Sequence, residues 1–197
     1  MIKFLLKYGI FLYIMNTIFL SIESTFELGN WIFLFLMSAY ALIILINPSF
    51  FRNVILNKVF LIFLVINIIN LIYFFCFHSF GDFEAFKFLL ARFVQFGIIA
   101  GGIYYNFDYY KSSFFRHLSI LLFVLVLICL IFNFDFFSGR YRGIIWNPNM
   151  LASFSSIGFS IIFITINKYK NIDIFMMTIF ILISLLSGSK GVLILIP

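Results

Sequence analysis

The run Val59-Phe-Leu-Ile-Phe-Leu-Val-Ile-Asn-Ile-Ile-Asn-Leu-Ile-Tyr-Phe-Phe-Cys-Phe77 contains no charged residue, no proline and no glycine. Its length is close to the ~20 residues a helix needs to cross the hydrocarbon of a bilayer. Apolar and polar residues do not alternate along it, as they would in a barrel strand. A backbone inside lipid must satisfy its own hydrogen bonds, so a membrane-spanning helix is what remains.

The rest of the chain repeats this pattern. Of its 197 residues 64% are hydrophobic and 10% charged, with a mean hydropathy of +1.18, whereas a soluble domain is about 25% charged. Working outward from 59–77, the sequence predicts an all-α, polytopic transmembrane bundle in one membrane domain, 1–197. The expected spans are 8–22, 31–47, 59–77, 85–105, 118–133, 150–167 and 174–186. A further stretch, 191–197, begins an eighth span without completing it, so the chain is expected to be the front portion of a longer protein.

The net charge of +6 does not point to nucleic acid, because the basic residues are scattered between apolar segments and form no continuous patch. Their placement reports topology instead. With the amino terminus in the cytoplasm, Lys3, Lys7, Arg52, Lys58, Lys111, Arg116, Lys168 and Lys170 fall inside, while Glu23, Glu27, Asp82, Glu84 and Asp135 fall outside. This is the asymmetry of the positive-inside rule. Lys87, Arg92, Arg140, Arg142 and Lys190 are the exceptions and require another reason to be there.

Cys76 and Cys129 both fall inside spans, so neither a disulfide framework nor a metal cluster is expected. His78 and His117 have no metal-ligand spacing to other residues, and no phosphate-binding or dinucleotide fingerprint is present, so no cofactor is expected. Asn67 and Asn70 lie on one face of the third span, where interhelical hydrogen bonds account for them. The abundant Phe is first of all packing and lipid-facing material.

Arg140 and Arg142 lie in the connection before the sixth span, followed by Gly143 and then by Asn147-Pro148-Asn149. Proline fixes its own backbone angle and asparagine tolerates unusual ones, so this is turn chemistry. Asn147 or Asn149 is placed to cap the next helix, whose amino end carries partial positive charge. Two guanidinium forks beside a helix start suit a phosphate or diphosphate. Lys190, in Ser-Gly-Ser-Lys-Gly at another helix entrance, and Arg92, set into the fourth span where an ionisable group is costly, join them as candidate anion-binding residues.

These residues also carry a resemblance. Arg140-Tyr-Arg-Gly143 followed by Asn147-Pro148-Asn149-Met-Leu-Ala152 resembles the Arg-x-x-Gly…Asn-Pro-Asn-x-Leu-Ala signature of the O-antigen ligase and O-antigen polymerase superfamily of the bacterial envelope. Ser187-Gly-Ser189-Lys190-Gly191-Val-Leu looks like that family's Ser/Thr-Gly-Ser-Arg-Gly-Ala-Leu motif, with lysine where the family has arginine. The resemblance implies a GT-C-like, metal-independent glycosyltransferase architecture in the bacterial inner membrane. It implies transfer of a glycan from undecaprenyl pyrophosphate to lipid A core or to a growing chain, at the periplasmic face. Arg140, and by position Lys190, would then hold the pyrophosphate.

A histidine that the family places in a later, large loop has no counterpart here, so the catalytic residue stays unassigned and transfer is expected to fail if the chain stands alone. Two rival readings come from other classes. A transporter or flippase of a lipid-linked saccharide would use intramembrane cations such as Arg92 but predicts internal repeats, which are not found. A structural subunit would use the outer arginines as headgroup anchors.

Overall fold

The computed structural model describes residues 2–77, 83–133, 136, 139–165 and 170–188. Among them the chain is helical throughout: α1 (Ile2–Leu20), α2 (Phe26–Ile46), α3 (Pro48–Ile55), α4 (Lys58–Phe77), α5 (Phe83–Tyr105), α6 (Phe107–Tyr109), α7 (Phe115–Phe132), α8 (Pro148–Thr165) and α9 (Lys170–Leu186). The non-helical described residues lie in the connections, chiefly 139–147, where an isolated antiparallel bridge joins Ile145 to Ile22. Five helical stretches there are long and apolar enough to cross a bilayer: Ile2–Leu20, Glu23–Ile46, Phe60–Phe77, Phe107–Phe132 and Pro148–Thr165. The chain is thus an all-helical membrane protein. Helix α5 occupies the position of the expected fourth span and α9 that of the seventh, the latter with a shorter apolar stretch, Asn171–Leu186. The expected beginning of an eighth span, 191–197, lies outside the described residues.

Two compact units emerge, one of residues 1–16 and 30–109 and the other of residues 17–29 and 110–197. In the first, Leu5, Leu36, Met37, Tyr40, Ile43 and Ile98 form a buried cluster contributed by α1, α2 and α5. The Tyr40 hydroxyl donates to the Leu5 carbonyl at 2.5 Å, which gives this otherwise wet phenol a partner inside the apolar cluster. Gly9 permits the approach, since a Cβ there would overlap the Tyr40 hydroxyl and Ile98. After α2, Pro48 starts α3 at a position where its missing N–H costs nothing, and Val54 of α3 packs on Phe96 and Ala100 of α5.

Helix α4, which carries the uncharged run 59–77, keeps most of its large side chains exposed, among them Ile62, Phe63, Ile69, Ile72 and Phe77. A helix that is apolar all round and exposed is lipid-facing. Asn67 does not reach to another helix through its amide N–H, which donates to its own Phe63 carbonyl at 2.9 Å. Back-bonding to the preceding turn pairs this N–H within its own helix.

The second unit is built on α7, α8 and α9. Helix α8 turns small side chains inward: Ala152, Ser155, Ser156 and Gly158 are buried. A Cβ at Gly158 would overlap the Phe180 ring of α9, so the glycine lets the two helices close on a fully buried aromatic, as small residues do between membrane helices. Phe123 of α7 meets Phe175 and Phe180 of α9 edge-on at 6.1 and 5.9 Å.

Two boundaries differ from the sequence reading. The polar connection before the second span shrinks to a single 3-10 turn, Glu23–Thr25, and α2 begins at Phe26. The expected basic loop around Lys111 and Arg116 is helical, a π-helical turn at Tyr110–Phe114 leading directly into α7. Burial of Tyr110 and Phe114 on one side gives this segment the apolar anchor that its charges concealed.

Candidate functional site

Between α7 and α8 the described residues 133, 136 and 139–147 are irregular, and the backbone is held near both ends. Asn133 closes α7, its N–H donating to the Cys129 carbonyl at 3.1 Å, while its side-chain amide donates to the Gly143 carbonyl at 3.0 Å. Gly143 has φ +58, and a Cβ there would come within 2.5 Å of Cys129 Cβ. The glycine is therefore required twice, by backbone conformation and by space. Tyr141 is buried between them: its hydroxyl lies 2.8 Å from the Cys129 carbonyl and 2.9 Å from that of Asn133, and its ring stacks on Phe136 at 5.0 Å. Burial, and secondarily the neighbouring Cys129, push its phenol up to about 12.

At the far end, Asn147 caps α8. Its carbonyl accepts from Met150 and its side-chain oxygen accepts from the Asn149 N–H at 2.9 Å, with Pro148 as the first helical residue. This is the capping expected from Asn-Pro-Asn. It also occupies the amino-terminal N–H groups, so an anion at this turn is met by side chains rather than by the helix start.

Arg140 is where the two sequence motifs meet. Its Nε donates to the Ser187 carbonyl at 2.8 Å, and its terminal Nη2 donates to Asn149 Oδ1 at 2.5 Å. The Tyr141 N–H donates to the Leu186 carbonyl at 3.0 Å. The Arg140-Tyr141 pair thus covers carbonyls at the carboxyl end of α9, which have no acceptor role left within the helix. Gly188, with φ +60, turns the chain there and donates to the Leu185 carbonyl at 3.0 Å. A Cβ at 188 would stand 3.3 Å from Arg140 Cγ and Nε.

The first connection reaches the same place. The Trp146 N–H donates to the Ser21 carbonyl at 3.0 Å, and the Trp146 ring lies 5.6 Å from that of Phe26. The carboxyl ends of α1, α7 and α9 therefore gather at one end of this unit. A cleft of about 360 Å³ opens between the first connection, the end of α7 and the loop before α8, lined by Glu23, Phe132, Asn133, Arg142, Gly143 and Trp146, among others. Arg142 is exposed, with one long contact, 3.5 Å, from Nη1 to the Trp146 carbonyl.

No family model matches the chain, and neither a curated protein nor a solved structure matches it.

The predicted site residues therefore divide. Arg140, Gly143, Asn147, Pro148 and Asn149 come together as the frame of the loop, and Arg142 faces the cleft. Arg92 is an exposed residue of α5 in the other unit, and Lys190 lies outside the described residues. Glu23, Asn133 and Trp146 were not singled out from sequence. Glu23 carried a faint signal as an acid in a connection without basic residues, and Asn133 and Trp146 carried none beyond their position at helix ends.

Proposed function

We propose that the chain works as a glycan ligase or polymerase of the O-antigen type, in a bacterial inner membrane with its amino terminus in the cytoplasm. About seven spans in a GT-C-like arrangement would present the arginine loop to the periplasm. The substrate in this reading is a glycan on undecaprenyl pyrophosphate, and the acceptor is lipid A core or another glycan chain. What supports the reading is the bond from Arg140 Nε to the Ser187 carbonyl, which joins two motifs that sequence had related only by resemblance.

The division of the arginines suggests how such a site works. Arg140 positions the loop through its protein bonds, and Arg142, on the cleft, is the cation that meets the diphosphate. An acceptor hydroxyl attacks the anomeric carbon as the bond from that carbon to the diphosphate oxygen breaks; the diphosphate leaves with the electron pair, and the hydroxyl proton passes to water. The Arg142 guanidinium on the cleft stabilises the charge that develops on the diphosphate. Lys190 is the further cation of this proposal, and no metal or cofactor is invoked.

Binding tests it directly. The purified chain in nanodiscs is expected to retain undecaprenyl diphosphate in preference to undecaprenol of the same length. Replacing the cleft guanidinium by Arg142→Gln should weaken retention about tenfold, the loss of one charge-assisted contact. Equal retention of the two lipids overturns the proposal.

A further inference from the structure

The opposite end of α7, α8 and α9 holds a second polar cavity, of about 330 Å³, that the glycan reading does not use. Its lining includes Lys111, Ser112, Phe115, Arg116, His117 and Asp173. Arg116 Nη1 donates to Asp173 Oδ1 at 2.5 Å, and the Asp173 side chain is only 2% exposed while that of Arg116 is 31% exposed. A buried carboxylate thus anchors a guanidinium that is itself partly exposed. Such anchoring fixes the orientation of a fork suited to phosphate.

Lys111 and Ser112 come from the π-helical turn, whose Tyr110 and Phe114 are buried, so the turn is held from within and both polar side chains are exposed. A π turn inserts an extra residue into the helix and re-aims the side chains on it, and such turns recur at functional sites. With Asp173 matched to Arg116, Lys111 leaves the cavity cationic. Phe115 in the lining is an exposed apolar side chain, and so is Ile172, the neighbour of Asp173 in sequence; acyl chains would lie there.

We propose that this cavity binds the phosphodiester headgroup of an anionic phospholipid, with Lys111 and Arg116 on the phosphate, Ser112 on its oxygens and Phe115 along the glycerol. The cavity exceeds a bare phosphate and continues into apolar surface, which favours a lipid over a soluble ester. A basic pocket between membrane helices is a recurrent form of headgroup site. The inference is independent of the glycan reading, because it uses none of the residues of the arginine loop.

The test is native mass spectrometry of the full chain released from detergent micelles containing equal amounts of phosphatidylglycerol and phosphatidylcholine. Phosphatidylglycerol should be retained about fivefold more, the preference expected for one well-placed lysine. The exposed double change Lys111→Gln and Ser112→Ala, which leaves the Arg116 to Asp173 pair intact, should abolish the preference, and Lys111→Arg should keep it. Arg140→Gln should not alter it. Equal retention of both lipids, or a preference that survives the double change, overturns the proposal. Displacement of the lipid by glycerol 3-phosphate would assign the cavity to a soluble phosphate ester and overturn the lipid as its occupant.

Discussion

Replacing Arg140 by glutamine separates a positioning role from a purely electrostatic one. The side chain makes two short bonds, to the carbonyl of Ser187, a fully buried residue, and to the exposed Asn149 amide oxygen. A hydrogen bond from a charged donor to a buried group contributes about 1.5–3 kcal/mol, and the exposed one adds less than about 1 kcal/mol. Loss of both should therefore cost about 2–3 kcal/mol. For a chain of this size each kcal/mol moves Tm by roughly 2–4 °C, so Arg140→Gln should lower Tm by about 4–12 °C. Among the described residues Arg142 makes one contact, of 3.5 Å, from an exposed side chain, and such surface changes stay within about 0.5 kcal/mol. Arg142→Gln should therefore move Tm by less than about 2 °C. Tryptophan emission on heating in detergent reads both, because Trp146 lies in the same loop. Equal shifts for the two variants, or a larger one for Arg142, would refute the division of labour between them.

Gly143→Ala should destabilise the chain by about 2–5 kcal/mol, combining about 1–2 kcal/mol for a left-handed alanine with about 1–3 kcal/mol for crowding Cys129. Adding Cys129→Gly removes the Cβ and Sγ that stand 2.5 and 2.8 Å away, so it should restore part of the Tm; a double variant no better than the single one argues against the steric account. Because the Tyr141 phenol is held up at about 12 against an ordinary value of 10.0, the unfolded chain ionises first. Its contribution to stability is complete below pH 10 and is lost as pH rises from 10 towards 12. Tyr141→Phe should flatten that part of a Tm against pH curve, and an unchanged slope would remove Tyr141 as the cause. In a Cys76→Ser background, Ser24→Cys should react with an impermeant maleimide from outside intact cells and Lys111→Cys only after lysis. Reaction of both from the same side would end the assigned sidedness.

The helices were legible because uncharged runs such as 59–77 leave the backbone no alternative, and Asn147-Pro148-Asn149 announced its cap through local chemistry alone. What stayed hidden depends on contacts between distant parts of the chain. Nothing near Arg140 in sequence says that it caps α9, nor that Tyr141 is buried under two carbonyls. The helical state of the Lys111 to Arg116 segment was masked by its charges, since its stabilising side chains, Tyr110 and Phe114, look like any other aromatics in a chain with 32 phenylalanines. Glu23 joins the cleft only because the Ser21 carbonyl meets the Trp146 N–H, a pairing no periodicity reports.

That last pairing bears on biogenesis. Ser21 leaves the ribosome early and Trp146 late, and at roughly 5–20 residues per second the interval is on the order of ten seconds. Throughout it the Ser21 carbonyl lacks its Trp146 partner, and the first connection is exposed to whatever insertase or protease patrols the membrane. A nascent chain stalled before residue 146 should consequently be cut between α1 and α2, and one stalled after α8 should be spared.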